Sequence, residues 1–339
     1  MFEPKSATDT SVSKPTITLG GYLDVYYMFD FRRPQERILP YFYSSSRHNQ
    51  IAVNLAYLSL KAESRRFKAR LAPALGTYMG DNYAAEPEAF HYVFEASAGV
   101  RLAKDFWFEA GLLPSPYGYE TAVSFDQPTY FRSLSTENSP YYVSGAKASY
   151  QTRDGIATFA LYALNGWQNI ARDAHFPAGG TQIVVKLESF TFNWSTYVGD
   201  ERKDKNEARQ IRFFNDVWFK YAPSDKFYLL GLFDVGTQRR QTVNHSWWTF
   251  NAIGWMKLSR RWGAALRGEA FTDPTGVAPL EAFDPRARFQ LVGASVNFDF
   301  RPDENVLMRL ETRLLEGYWP YETNRKTTVR IAASIAVSI

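Results

Sequence analysis

Between Thr16 and Ile339, apolar residues alternate with small or polar ones in segments of roughly ten to fourteen residues. In the first segment Ile17, Leu19, Leu23, Val25, Tyr27 and Phe29 share one face, and Thr18, Gly20, Tyr22, Asp24, Tyr26 and Asp30 share the other. From Tyr92 the period sends Phe94, Ala96, Ala98, Val100 and Leu102 outward, with Glu95, Ser97, Gly99 and Arg101 inward. Further on, Val306, Met308, Leu310 and Leu314 oppose Arg309, Glu311 and Arg313. The last segment sets Val329, Ile331, Ala333, Ile335, Val337 and Ile339 against Arg330, Ala332, Ser334, Ala336 and Ser338. Successive side chains of a strand point to opposite faces, so each segment predicts a two-faced β-strand.

Short and long connections join the segments in strict alternation. The short ones fall near Glu63–Arg66, Ala103–Asp105, Arg153–Gly155, Glu188–Phe190, Ala222–Lys226, Leu258–Arg261 and Phe300–Asn305. The long ones fall near Arg32–His48, Gly80–Ala89, Ser115–Pro140, Gly166–Gly179, Gly199–Gln210, Thr237–His245, Thr272–Arg286 and Gly317–Lys326. Every long loop therefore lies at one end, and fifteen connections predict sixteen strands. The predicted fold class is all-β: a transmembrane antiparallel up-and-down β-barrel with short periplasmic turns and long external loops. Residues 1–15 are polar and lack the apolar core of a signal peptide, and are expected to be a flexible segment ahead of a barrel at 16–339.

Lys or Arg facing lipid at mid-membrane costs about 2–4 kcal/mol, so the charged faces must look into the lumen. A soluble sandwich shows the same period with its apolar face buried, but its strands average about five to six residues. Two segments, 52–62 and 227–236, are apolar on both faces. Either Leu58, Leu60, Tyr228, Leu230 and Leu232 form a lumenal patch against an inserted loop, or the register is displaced by one residue. Aromatic residues gather at strand ends: Phe106, Trp107, Tyr221, Phe227, Tyr228 and Trp262 on the turn side, and Tyr27, Phe29, Trp247 and Trp248 on the loop side. Such rings settle at the membrane–water boundary and predict two girdles.

Composition narrows the chemistry. Aromatics make up 17% of the chain, and no run of apolar residues is long enough for a helical span. Cysteine is absent, which excludes disulfides and thiolate metal sites. The net charge of +4 is spread along the chain without a basic–aromatic cluster, so no nucleic-acid partner is expected. The four histidines, His48, His91, His175 and His245, lie in loops or at strand ends. No Gly-x-Ser-x-Gly elbow, helical histidine pair or phosphate loop occurs, so no enzyme, cofactor or metal is expected. A hidden enzyme would be sought at His175 or His245. Asp81, Glu86 and Glu88, and separately Asp299, Asp303 and Glu304, offer oxygen ligands without EF-hand spacing. The run Glu201-Arg202-Lys203-Asp204-Lys205 reads as a solvated loop tip, with contact to lipopolysaccharide or a neighbouring protein as its functional reading.

Three stretches resemble the OmpL-like porin family of outer-membrane barrels. They are Gly20-Gly21-Tyr22-Leu23-Asp24-Val25-Tyr26-Tyr27, Gly111-Leu112-Leu113-Pro114-Ser115-Pro116-Tyr117-Gly118-Tyr119-Glu120, and Leu164-Asn165-Gly166-Trp167. The resemblance spans nearly the whole barrel and implies a bacterial, Bacteroidota-like protein of the outer membrane. The chain departs from the usual pattern by ending Val337-Ser338-Ile339, without the terminal aromatic residue of barrel assembly signals.

Barrels of sixteen to eighteen strands enclose an aqueous channel unless something fills it. The expected function is passive diffusion of small hydrophilic solutes. The alternative is a non-conducting barrel that scaffolds partner proteins. In general porins of similar size the third external loop, here Ser115–Pro140, bends into the lumen. Its Glu120, Asp126, Arg132 and Glu137 would then face Arg267, Glu269, Arg309, Arg313 and Arg330 of the wall as a pore constriction. A small inward excess of Lys and Arg predicts a weak preference for anions. Alternatively Tyr117, Tyr119, Phe125, Tyr130, Phe131 and Tyr141 only anchor an external cap. Expected partners are the lipid bilayer, lipopolysaccharide, the solutes themselves, and a homo-oligomer or another outer-membrane protein.

Overall fold

The computed structural model describes residues 14–172, 174, 176–240, 243–278 and 287–339. Its first half comprises β1 (Thr16–Asp30), β2 (Gln50–Glu63), β3 (Phe67–Leu75), β4 (Val93–Ala103), β5 (Phe106–Pro114), β6 (Tyr142–Gln151), β7 (Ala157–Leu164) and β8 (Ala178–Lys186). The second half comprises β9 (Phe190–Asp200), β10 (Ile211–Ser224), β11 (Phe227–Arg240), β12 (Val243–Lys257), β13 (Trp262–Asp273), β14 (Phe289–Asp303), β15 (Val306–Tyr318) and β16 (Lys326–Ser338). Two short helices, α1 (Thr77–Asn82) and α2 (Leu134–Glu137), lie in long connections. Each strand pairs antiparallel with its chain neighbour, and β1 pairs with β16 to close a sixteen-stranded barrel. Closure matters because an unpaired edge at membrane depth has no water to satisfy its backbone. Of the expected flexible segment 1–15, residues 1–13 lie outside the described residues.

Most faces follow the alternation. Tyr22, Asp24 and Tyr26 of β1 are buried inside, while Ile17 and Leu19 are exposed outside. Arg309, Glu311 and Arg313 of β15 and Arg330 of β16 also point in.

Two strands depart from it, and β-bulges explain both. In β2 the partner of Asp24 is Leu55 and that of Val25 is Val53, so Asn54 is an extra residue. Asn54 and Leu55 are both buried, and the outward set switches from Ile51 and Val53 to Leu58 and Leu60. Leu58 and Leu60 therefore face lipid, which corrects their place in the lumenal patch. Tyr228, Leu230 and Leu232 do face the lumen, where Tyr119 of the third loop packs on the cluster that holds Tyr228 and Leu230. In β4 the partners of Ala72 and Pro73 are Glu95 and Val93, leaving Phe94 extra. Phe94 turns inward to stack on Tyr57, 5.3 Å between centroids, so its expected outward face is also corrected.

The girdles form in part. Tyr221, Phe227 and Trp262 are exposed at the turn end, as are Tyr27 and Trp248 at the loop end. Tyr228 and Trp247 face the lumen instead, because neighbours along a strand take opposite faces. The long connection expected at Thr237–His245 is largely strand: β11 runs to Arg240, which pairs with Val243 at the start of β12.

Gly111 has φ 128°, and a Cβ there would lie 2.2 Å from the Ala96 carbonyl oxygen. Only glycine allows β4 and β5 to approach so closely.

Candidate functional site: a lumen divided by the third loop

The connection between β5 and β6, residues 115–141, folds back into the barrel. A loop there has no strand ladder to take its backbone N–H and C=O groups, and each left unpaired is costly. The inward side chains supply the missing partners. Glu269 of β13 accepts from the Leu134 N–H at 2.7 Å, and Glu311 of β15 accepts from that of Phe131 at 2.7 Å. Arg267 donates to the Phe131 carbonyl at 2.6 Å, and Arg309 donates to the carbonyls of Ser124 and Gln127. Within the loop, Ser133 caps α2 by accepting from Thr136 N–H, and Arg132 donates to the Tyr130 carbonyl at 2.8 Å. On the far side, Asp216 of β10 accepts from Gly118 N–H, and Ser195 of β9 donates to the Pro116 carbonyl.

The same wall charges pair with one another. Arg267 lies 2.9 Å from Glu311, 3.3 Å from Glu269 and 3.9 Å from Glu120. Arg313 grips Glu269 through two hydrogen bonds of 2.8 Å, and Arg309 pairs with Asp299 at 2.9 Å. All are shielded from solvent, so each ion has lost its hydration and depends on its partners. Glu137 accepts from Tyr43 N–H at 2.7 Å; burial pushes its carboxyl up to about 7, opposed chiefly by that hydrogen bond.

Seven of the nine expected constriction residues thus come together: Glu120, Arg132 and Glu137 of the loop with Arg267, Glu269, Arg309 and Arg313 of the wall. Arg330 lies beside Arg313, its partner across β15 and β16, and shares the Phe42 ring with it, but its ion pair is with Asp30 at 2.9 Å. Asp126 is exposed and lines an open cavity. Glu311, which accepts from the loop, and Asp299, which holds Arg309, complete the buried network and were legible in the sequence only as charges.

Open space lies against the other wall. A cavity of about 220 Å³ is bounded by Tyr57, Phe94, Thr121 and Asp126, together with Arg70 and Glu95. A second, also about 220 Å³, is bounded by Lys61, Glu63, Lys68 and Glu109, and by the same Arg70 and Glu95. Arg70 and Glu95, which line both cavities, pair at 2.7 Å. Glu109 sits between Lys68 at 2.9 Å and Lys147 at 2.8 Å. These cations keep 23–37% of their side-chain surface in solvent, against 0–1% for Arg267, Arg309 and Arg313.

The other candidates resolve into local contacts. Asp81 pairs with Arg47 at 2.6 Å, and Glu86 accepts from Tyr142 OH and Ile170 N–H. Among the described residues no group of three or more histidines or carboxylates is placed to hold a metal. His48 accepts from Asp30 N–H, His91 bonds the Glu86 carbonyl, and His245 lies in β12 opposite Gln238. His175 lies outside the described residues.

A family model described as "Putative beta-barrel porin-2, OmpL-like" matches residues 16–339. The chain belongs to this family. No curated protein matches it in sequence. Among solved structures, the outer-membrane channel DcaP of Acinetobacter baumannii shares 11% identity and a TM-score of 0.65, covering 98% of this chain and 100% of that one. OmpF of Salmonella typhi, in complex with daunomycin, shares 12% identity and a TM-score of 0.64, over 96% and 98% of the two chains. An anion-selective porin from Comamonas acidovorans shares 8% identity and a TM-score of 0.61, over 96% and 100%. The OmpL-like chain is thus a porin-type barrel of the bacterial outer membrane.

Proposed function

We propose that the barrel is a passive diffusion porin whose solutes pass along the β2–β6 side of the lumen. The observation that carries this reading is the pair of cavities that share Arg70 and Glu95 in their lining, opposite a loop fixed to the other wall. Small hydrophilic solutes are the matching class, because charged and polar side chains line the second cavity.

Selectivity on this reading is set by the solvated charges. Among the strand residues of the open wall Lys61, Lys68, Arg70 and Lys147 outnumber Glu63, Glu95 and Glu109, with the exposed Asp126 of the loop as a fourth carboxylate on the path. Lys257, Arg261 and Arg301 outnumber Asp225 and Asp299 around a further cavity near the turn between β12 and β13. Such a field favours anions weakly. The buried cluster around Arg267 holds the loop and contributes little to ion choice, since its charges compensate at contact distance. OmpT of Vibrio cholerae, a structural neighbour, has been solved in a trimer form, and a homo-oligomer is the corresponding proposal here.

The test is single-channel conductance of the purified protein in a planar bilayer under a salt gradient. Stable steps with a reversal potential on the anion side are expected. A potential on the cation side would overturn the anion preference while leaving the porin. Silence from a folded, heat-modifiable barrel would favour a scaffold, the reading that the pinned loop supports.

A further inference from the structure

We propose that the outer surface of β13–β15, at its external end, is a binding groove for a phosphorylated acyl lipid of the lipid A type. This inference does not depend on whether the lumen conducts.

A groove of about 270 Å³ opens there between Trp248, Ala270, Val292, Glu316, Tyr318 and Arg325. It faces the membrane, because Phe271 and Leu291, the alternate residues of the same strands, are buried in the lumen. Its depth comes from sequence: the small Ala270 lies between the exposed rings of Trp248 and Phe250 and the exposed Val292. Its level in the membrane is the loop end, since Tyr318 is the last residue of β15 and pairs with Gln290 at the start of β14.

The rim is polar and cationic where a lipid-facing surface is ordinarily apolar. Arg288 lies over the Tyr318 ring, 3.8 Å from its centroid, and its Nε donates to the Gln290 side chain. Arg325 pairs with Glu316 at 3.1 Å and keeps 57% of its side-chain surface exposed. Two guanidinium groups against one carboxylate, Glu316, leave the rim of a mainly apolar furrow with a net positive charge, which matches a lipid that carries phosphate at the head and acyl chain below. A second copy of the barrel would fill the furrow equally well but would leave these cations against apolar surface. Charge complementarity therefore favours the phospholipid chemistry. In the outer membrane the lipid with this chemistry at the external face is lipopolysaccharide.

The experiment uses the folded protein in phosphatidylcholine vesicles, with and without diphosphoryl lipid A, and reads lipid adducts by native mass spectrometry. Wild-type protein should retain lipid A. The double variant Arg288→Gln/Arg325→Gln should bind about tenfold more weakly, as loss of charge-assisted phosphate contacts implies. Ala270→Phe should fill the furrow and weaken binding without touching a charge. Heat-modifiable mobility confirms that each variant is folded. Equal adduct levels in all three proteins, or equal binding of dephosphorylated lipid A, would overturn the proposal. So would efficient cross-linking of two barrels through Val292→Cys in the vesicles.

Discussion

The two walls of the lumen carry similar charges and use them differently. On β13–β15, Arg267, Glu269, Arg309 and Glu311 are sealed beneath the third loop and bonded to its backbone, and the equally buried Arg313 braces Glu269. On β2–β6, Lys68, Arg70, Glu95, Glu109 and Lys147 form ion pairs of similar length but with cations in contact with solvent. An ion pair in water is worth little, whereas breaking a buried one strands a desolvated charge. The first wall therefore serves to position the loop, and the second remains free to act on a solute.

The largest expected effect comes from breaking the sealed wall. Arg267→Ala removes the partner of Glu311, Glu269 and the Phe131 carbonyl, and should destabilise the barrel or its loop by about 3–5 kcal/mol. Thermal unfolding should shift down, and single-channel current should become larger and noisier as the loop leaves the wall. Unchanged unfolding and quiet current would show that the loop does not need this network.

Gly111→Ala comes next. Its Cβ would meet the Ala96 carbonyl at 2.2 Å with φ 128°, so a loss of at least about 1–3 kcal/mol is expected from backbone strain. A wild-type melting profile would refute the close approach of β4 and β5.

On the open wall the effects should move to transport. Glu109→Gln frees Lys68 and Lys147 and should shift the reversal potential toward anions; Arg70→Gln should shift it toward cations. Stability should change by less than about 1 kcal/mol in each case. Equal reversal potentials in both variants would remove this wall from ion selection.

The remaining expectation is a pH dependence. The folded Glu137 carboxyl titrates near 7, above its ordinary value, so the folded state holds the proton more tightly. The loop's hold should be fullest below the ordinary carboxyl range, weaken as pH rises through about 7, and level off above it. In Glu137→Gln the slope of stability against pH between those limits should flatten; an unaltered slope would assign it to another group.

The sequence by itself determined the barrel. A period of two, kept over strands this long, allows one face to meet lipid and forces charges such as Arg313 and Arg330 inside. Alternating long and short connections set the strand count and placed the third loop where it could enter the lumen. The tertiary structure decided what a local period cannot encode. One extra residue at Asn54 and one at Phe94 reverse the faces of β2 and β4, because a bulge depends on the partner strand as much as on its own sequence. The predicted gathering of loop and wall charges was legible, but their role was not. Whether Arg267 or Arg70 meets solvent depends on which wall the loop covers, and that choice is made by hydrogen bonds between residues more than a hundred positions apart.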